Sequence, residues 1–215
     1  MRAALTGRVK RYAERRGLLP NQGELLLCGV SGGADSMCML SLMSELARMR
    51  KFEVAAAHFN HGLRGESSER DAHFVRDYCD AHGVRLETGA RTGAAPFGAS
   101  ESESREARYA FFSSAAEKLG AIAVATAHNA DDNAETLLLQ LARGSGSLPG
   151  IAPERVFKSG LRVVRPMLCA TRGEIDAYLA ARAVPHVEDE SNADSRYARN
   201  RVRLEVMPAL RAVNA

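Results

Sequence analysis

The chain has 215 residues, of which 46% are hydrophobic, and this is enough to bury the core of one domain. No apolar run approaches the roughly 20 residues that span a bilayer, and the basic segment 1–17 lacks the apolar centre of a signal peptide. We therefore expect a cytoplasmic protein without a membrane partner. The net charge of +3 permits a nucleic-acid partner without requiring one. Four widely spaced cysteines, with no Cys-x-x-Cys pair, argue against an encoded zinc site or disulfide framework.

Short apolar runs alternate with amphipathic stretches, the pattern of repeated β-α units and a parallel sheet. The predicted elements are, in chain order, helix Ala3–Arg16, strand Glu24–Cys28, helix Ser36–Arg50, strand Glu53–His58, helix Glu69–His82, strand Arg85–Thr88, helix Glu101–Leu119, strand Ala121–Ala125, helix Ala130–Ala142, strand Leu161–Val164 and helix Arg172–Arg182. We predict an α/β fold, a Rossmann-like open parallel sheet of about five strands with helices on both faces. Residues 143–160, rich in glycine, are predicted to form a long surface connection.

One domain is expected over residues 1–215, with its core at about 20–185 and an arginine-rich helical segment at 186–215. Residues 196–211 hold five arginines against the single acid Glu205. Because the last helix lacks a capping signal, we expect the chain to be part of a longer protein. Arginine suits phosphate contacts through paired hydrogen bonds, although a solvated helix face remains an alternative for this segment.

The sequence Ser31-Gly-Gly-Ala-Asp-Ser36 links the first predicted strand to a helix. Consecutive backbone N–H groups and the positive helix end would converge there on an anion, which favours a phosphate site. Neither a Walker A motif nor G-x-G-x-x-G is present. Asp35 beside a phosphate would require a cation between them, so we predict that it binds magnesium. A tight turn with Asp35 and Ser36 as helix caps is the alternative.

This loop resembles the S-G-G-x-D-S motif of the PP-loop ATP pyrophosphatases, which cleave ATP between the α and β phosphates and transfer AMP to an acceptor oxygen. The resemblance implies an adenine nucleotide alpha hydrolase-like fold. It also implies ATP contacts from Ser31, Gly32, Gly33, Ala34, Asp35 and Ser36.

Polar clusters follow two more predicted strands, at the sheet edge where open α/β folds bind ligands. His58 and Asn60 end the second strand. After the fourth strand comes His128, and the helix from Ala130 then sets Asp132 and Glu135 on one face. This acidic face can bind magnesium, a substrate ammonium group or both; the alternative is that its acids only complement a helix N-terminus. The histidines could likewise be structural.

Five blocks resemble, in order, those of tRNA(Ile)-lysidine synthetases, and the resemblance covers roughly residues 20–212. They are H-F-N-H-G-L-R at 58–64, T-A-H-N-A-D-D-N-A-E-T at 126–136, R-P-M-L at 165–168, E-D-E-S-N at 188–192 and R-N-R-V-R at 199–203. Full-length relatives continue into C-terminal tRNA-binding domains, to which nothing in this sequence corresponds.

The resemblance implies a ligase that uses ATP and magnesium to adenylate the wobble cytidine of tRNA(Ile) with a CAU anticodon. The ε-amine of free lysine then displaces AMP to give lysidine. Implied catalytic residues are Asp35, Arg108, His128, Asp132, Glu135 and Arg201. His58 and Asn60 would join the ATP site, and Asp132 and Glu135 would bind lysine. Implied tRNA contacts are Arg64, Arg196, Arg199 and Arg203, with Arg211 as a further candidate, and Arg199 or Arg201 would face the nucleotide.

Other functions remain open from the sequence. A PP-loop tRNA thiolase would need reactive cysteines, and Cys28 and Cys38 lie within predicted elements rather than as an exposed pair. A cytosine deaminase would need a zinc motif, which is absent. A nucleotide-binding module without chemistry would have no evident need for His128, Asp132 and Glu135. Whether the protein forms a homodimer is not decided by the sequence.

Overall fold

The computed structural model describes residues 2–60, 66–90, 101–188 and 198–213. Its elements are α1 Arg2–Arg15, β1 Leu25–Gly29, α2 Ala34–Arg50, β2 Glu53–Asn60, α3 Glu66–His82, β3 Arg85–Ala90, α4 Glu101–Leu119, β4 Ala121–Ala125, α5 Ala130–Ala142, β5 Glu154–Val156, β6 Arg162–Val164, α6 Arg172–Arg182, α7 Ala198–Arg201 and α8 Met207–Val213. A π-helical turn, Val202–Val206, joins α7 to α8. None of the described helices is both long and apolar enough to cross a membrane.

The described strands form one sheet in the order β3-β2-β1-β4-β6-β5, and all its pairs are parallel except β5 with β6. The predicted α/β class and the predicted parallel strands are confirmed. Strand β5 was not predicted, because it lies in the segment expected to be a connection. Its three residues are all exposed, so no burial pattern signals it. Backbone pairing with β6 holds it at the sheet edge.

Helices cover both faces of the sheet, and the side chains of β1 are accordingly buried on both faces. Leu26 and Cys28 pack into a core shared with α1, α2, α3 and α6, whereas Leu25 and Leu27 pack into a second core with α4. Helix α2 is buried on nearly every side because it lies between the sheet and helices α1 and α6.

The strand order places a topological switch between β1 and β4. From β1 the sheet continues through β2 to β3 on one side, and through β4 to β6 on the other. The connections that leave the carboxyl ends of β1 and β4 therefore run in opposite directions, and a crevice lies between them. Open α/β sheets usually bind their ligands in such a crevice. The predicted phosphate loop follows β1, and the predicted acidic cluster follows β4.

Strand β3 depends on a close approach between its Gly89 and the ring of Phe111 on α4. A Cβ at Gly89 would lie 2.6 Å from Cε2 of Phe111, and the ring also stacks against Phe59 with centroids 5.4 Å apart. We predict that Gly89→Ala lowers the free energy of unfolding by about 1–3 kcal/mol through overpacking. Urea denaturation measures this change.

The matched control is Gly173→Ala in α6, where a Cβ would meet nothing within 4 Å. This change should leave stability unaltered or raise it by up to about 1 kcal/mol, since alanine is the better helix former. Equal midpoints for wild type and Gly89→Ala would contradict the prediction.

Candidate functional site

The loop after β1 turns tightly into α2 and is held by its own hydroxyl groups. Ser36 Oγ donates to Gly33 O at 2.9 Å and accepts from Ser31 N at 3.1 Å. Helix α2 begins at Ala34, two residues earlier than predicted, because Met37 N already donates to Gly33 O at 3.0 Å. Asp35 consequently lies within the first helical turn.

Gly32 adopts a left-handed conformation with φ +95°, which side chains rarely tolerate. Its carbonyl accepts a hydrogen bond from Val187 N at 2.9 Å, so the segment that follows α6 crosses over the loop. Gly33 has an ordinary φ, and a Cβ there would meet only Ser31 Oγ at 3.6 Å and Val187 O at 4.0 Å. The backbone therefore requires glycine at position 32, whereas residue 33 has room for a Cβ in the free protein.

His58 and Asn60, predicted to contact ATP, are buried beside the loop and line neither of the two cavities described below. His58 Nδ1 lies 2.9 Å from Val30 O, so Nδ1 carries the proton and donates. Burial lowers the pKa of His58, which keeps the ring neutral. Asn60 Nδ2 donates to Glu69 Oε1 at 2.8 Å. Both side chains support the loop and the start of α3 from within the fold.

Asn129 joins the two halves of the crevice. Its Oδ1 accepts from Asp132 N at 3.0 Å and its backbone N donates to Asp132 Oδ2 at 2.9 Å, a capping box that begins α5. Its Nδ2 donates to Asp35 Oδ1 at 3.2 Å. Arg172, at the start of α6, donates to Asp35 Oδ2 at 3.4 Å. The carboxylates of Asp35 and Asp132 thus face the same crevice.

Two cavities open on either side of Asp35 and share Ser31, Asp35 and Ser36 as lining residues. The first, of about 910 Å³, lies between the loop, α6 and residues 183–188. The second, of about 510 Å³, lies between the ends of β1 and β4 and is lined in addition by Phe59, Phe112, Arg108, His128, Asp132 and Arg199, among others. The loop can therefore serve ligands in both cavities.

His128 stands in the second cavity, where its Nδ1 lies 3.1 Å from Thr126 Oγ1. Burial, followed by the positive charges of Arg165, Arg199, Arg108 and Arg105, lowers its pKa to about 3. His128 is therefore a neutral hydrogen-bonding group near pH 7, and its surroundings carry a positive potential that favours an anion.

Asp132 and Glu135 are both bound by arginines of the C-terminal segment. Arg199 donates to Asp132 Oδ1 at 2.7 Å and to Glu135 Oε2 at 2.8 Å. Arg203 donates to Glu135 Oε1 at 2.7 Å and to Asp132 Oδ1 at 3.4 Å. The side chain of Glu135 is only 2% exposed, whereas that of Asp132 lines the second cavity. We call these four residues the carboxylate–arginine cluster.

Several predicted site residues lie elsewhere. Arg201, predicted to be catalytic, lies outside both cavities: its side chain is 66% exposed and pairs with Glu205 at 3.7 Å. Arg199 and Arg203, predicted to contact tRNA, line the second cavity and bind the carboxylates of Asp132 and Glu135. Arg211 pairs with Asp131. Two further tRNA candidates, Arg64 and Arg196, lie outside the described residues.

Residues that the sequence did not single out as site residues also belong to the crevice, namely Asn129, Arg165 and Arg172. For Arg172 the sequence did hold a signal. A cation in the first turn of a helix is repelled by the helix dipole, which indicates that an acid lies nearby. The spacing of Arg199 and Arg203 is a second signal. Residues four apart share a helix face, and Arg201 points away from that face.

The family model of the PP-loop domain matches residues 5–210 of this chain. The chain belongs to the PP-loop family. It is 41% identical over 220 residues to the tRNA(Ile)-lysidine synthase of Dehalococcoides mccartyi, covering 98% of this chain and 46% of that protein. The tRNA(Ile)-lysidine synthase of Gloeobacter violaceus is 43% identical over 206 residues, covering 94% of this chain and 61% of that protein. The chain thus spans about half the length of such relatives.

Among solved structures, the U34-tRNA thiolase NcsA from Methanococcus maripaludis with its [4Fe-4S] cluster has a TM-score of 0.77 at 16% identity, covering 93% of this chain and 71% of that one. A glutamine-dependent NAD⁺ synthetase from Acinetobacter baumannii has a TM-score of 0.50 at 18% identity, covering 84% of this chain and 32% of that one. At these identities the likeness concerns the fold, and it agrees with the predicted adenine nucleotide alpha hydrolase-like class.

The neutral state of His128 gives a prediction about stability and pH. Its pKa in the folded protein lies below the ordinary 6.5, so between pH 6.5 and 3 the unfolded chain binds the extra proton. Wild type should therefore lose stability relative to His128→Gln as the pH falls below 6.5, by up to about 1 kcal/mol per pH unit. Above pH 6.5 the difference should stay constant.

Urea unfolding of both proteins at pH 7.5, 6 and 5 measures this difference. An NMR titration of the His128 ring should show no midpoint between pH 8 and 5. A midpoint near 6.5, with parallel stability curves, would show that the ring is hydrated and charged instead.

Proposed function

We propose that this chain is the adenylating part of a tRNA(Ile)-lysidine synthase. ATP would activate the wobble cytidine of a tRNA with a CAU anticodon, and free lysine would then displace AMP. One observation carries the proposal: a phosphate-type loop with Asp35 and a carboxylate pair at Asp132 and Glu135 meet in one crevice, joined by Asn129. The similarity to relatives that bear this name supports the choice of substrates.

The charge of the crevice suits a triphosphate. Three arginines, Arg108, Arg199 and Arg203, line the second cavity beside two carboxylates, Asp35 and Asp132. These cations join the N–H groups at the start of α2 in attracting phosphate oxygens. Arg108 and neutral His128 face the second cavity, where they can donate to oxygens that gain charge as the α-phosphorus is attacked.

The residues present fit magnesium. Burial raises the pKa of Asp35, and the nearby Asp132 carboxylate raises it further, although Arg172 opposes both effects. A cation between the phosphates and Asp35 would relieve this cost. No cluster of three or more His, Cys, Asp or Glu ligands occurs among the described residues, which agrees with an ion that takes most of its ligands from phosphates and water. When bound there, magnesium would neutralise phosphate charge.

The first proposed step forms a bond between the cytidine carbonyl oxygen and the α-phosphorus and breaks the bond to pyrophosphate. The rings of Phe59 and Phe112 line the second cavity and give a nucleobase apolar faces to stack on. The base must leave its loop stack to reach them. In the second step the lysine amine loses a proton and bonds to the ring carbon, and AMP departs.

The carboxylate–arginine cluster divides the work of the amine site between its acids. Glu135 is buried and bound by two arginines, so it is the anchor that holds the C-terminal segment against α5. Asp132 faces the cavity, and burial raises its pKa, which favours a group that can take up a proton. We therefore assign contact with the lysine ammonium group to Asp132.

A thiolase reaction is the second candidate, and the fold alone permits it. However, Cys28, Cys38 and Cys79 are buried and lie outside both cavities. Burial raises the pKa of Cys28 and Cys38 to about 12 and that of Cys79 to about 11, so none of them supplies a thiolate near pH 7. A nucleotide sensor without chemistry stays an alternative, and release of pyrophosphate with tRNA distinguishes an enzyme from it.

The two loop glycines separate ligand binding from folding. We predict that Gly33→Ala keeps wild-type stability but weakens ATP binding at least tenfold, because its Cβ has room in the free protein yet occupies the path of a phosphate. Gly32→Ala should instead lower stability by about 1–2 kcal/mol, since it strains the left-handed backbone. Calorimetric ATP titration and thermal unfolding measure both effects. Unchanged ATP affinity in folded Gly33→Ala would remove the loop from the nucleotide site.

The division between Asp35 and Asp132 predicts which half-reaction fails. Asp35→Ala should abolish pyrophosphate release. Asp132→Asn should raise the KM for lysine or slow the second step, so that adenylated tRNA accumulates. Glu135→Gln should lower the free energy of unfolding by about 1–3 kcal/mol. This loss is smaller than for a fully buried ion pair, because the side chains of Arg199 and Arg203 are more than one third exposed.

Rapid-quench assays with labelled ATP and labelled lysine separate these outcomes, with Glu205→Gln on the exposed surface as the matched control. If Asp132→Asn loses adenylation as completely as Asp35→Ala and keeps its lysine affinity, Asp132 belongs to the magnesium site and the amine assignment fails. If wild type incorporates no labelled lysine into tRNA, the proposed function itself is wrong.

A further inference from the structure

Helix α1 carries a row of arginines on one face. Arg8, Arg11 and Arg15 follow the three- and four-residue spacing of a single helix side, and Arg16 follows the helix directly, four positions after Tyr12. Together with Cys169 these side chains line a cavity of about 480 Å³ that is separate from both cavities of the crevice. We call this the α1 basic surface.

Acids do not neutralise most of this surface. Arg8 pairs with Glu174, but no carboxylate contacts Arg11, Arg15 or Arg16 among the described residues. Glu14, on the same helix, pairs with Arg50 of α2 instead. Arg8 Nε is buried and has no hydrogen-bond acceptor in the part of the chain that the structure describes. Exposed guanidinium groups gathered beside a cavity give this surface a positive potential that suits an anionic ligand.

An aromatic ring accompanies the charges. The guanidinium group of Arg16 lies 5.0 Å from the centroid of the half-buried Tyr12 ring, a cation–π contact. Arginine beside an aromatic ring is a combination that nucleic-acid-binding surfaces use, where the cations contact phosphates and the ring packs against sugar or base. The neighbouring thiol of Cys169 stays neutral, because burial raises its pKa.

The α1 basic surface is connected to the crevice through the first turn of α6. Glu174, the partner of Arg8, accepts from Thr171 N at 3.0 Å and so caps this helix. Arg172, two residues before Glu174, donates to Asp35. From Arg8 to Arg15 the helix rises about 10 Å, the axial rise of about three nucleotides in a helical strand.

We propose that the α1 basic surface binds phosphates of the tRNA segment that flanks the base held in the crevice. This inference rests on the proposed function, because a base held at the crevice leaves its neighbouring backbone beside the start of α6. Arg11, Arg15 and Arg16 neutralise the phosphates, and Arg8 positions that end of the surface through Glu174.

The test uses the triple variant Arg11→Gln, Arg15→Gln, Arg16→Gln and measures tRNA binding between 50 and 300 mM salt. Each lost phosphate contact reduces the slope of log K against log salt by about 0.7–0.9, so three contacts reduce it by about two to three. We expect at least a tenfold loss of tRNA affinity at the lower salt. ATP affinity and thermal stability should stay at wild-type values.

The matched control removes three exposed cations at the amino-terminal edge of the sheet, opposite the crevice, by Arg85→Gln, Lys118→Gln and Lys158→Gln. It has the same net charge as the triple variant and should keep the wild-type slope. Equal losses in both variants, or an unchanged slope in the α1 variant, would overturn the proposal. So would a wild-type protein that does not bind tRNA at low salt. A third outcome separates the two proposals. If wild type binds tRNA and the triple variant shows the expected change in slope, but wild type transfers no lysine, the α1 basic surface is upheld and the proposed reaction is rejected.

Discussion

The side chain of Asn129 is the contact on which the arrangement of the site depends, because it joins the amino ends of α2 and α5. Its carbonyl oxygen accepts the hydrogen bond that begins α5, and its amide nitrogen donates to Asp35 in the first turn of α2. Asn129 is buried, so water does not compete for these bonds. The switch between β1 and β4 brings two helix ends together, and this amide then fixes Asp35 and Asp132 relative to each other.

Gathering acids at one crevice has an electrostatic cost, which the C-terminal segment offsets. Burial raises the pKa of Asp35 and of Asp132, and like charges add to the shift of both. Arg199 and Arg203 bridge Asp132 and Glu135 with near-bidentate geometry. Ion pairs therefore attach α7 and the π-helical turn to α5, and Met207 and Leu210 of α8 lie beside Leu137 and Leu138 of α5. The same attachment closes one wall of the second cavity, since Arg199 and Arg203 both line it.

Local patterns predicted most of the fold and part of the site. Helices α4, α5 and α6 matched their predicted bounds because strong periodicity and stop signals are encoded within each segment. Strand β5 escaped prediction because its stability comes from pairing with β6, and its exposed side chains leave no pattern. The contact of Arg172 with Asp35 spans 137 positions, so no local rule reaches it. For Arg201, helical spacing counted from Arg199 to Arg203 would have indicated the opposite face.

This chain shares its fold with a U34-tRNA thiolase, and a shared fold does not determine the chemistry of the site. Residues of the loop after β1 and residues that follow β4 line the same cavity. Here that end carries His128, Asp132 and Glu135, and the described cysteines lie outside the crevice. In the proposed reaction, a carboxylate held beside arginines suits an incoming ammonium group, which needs a negative partner and a place for its proton.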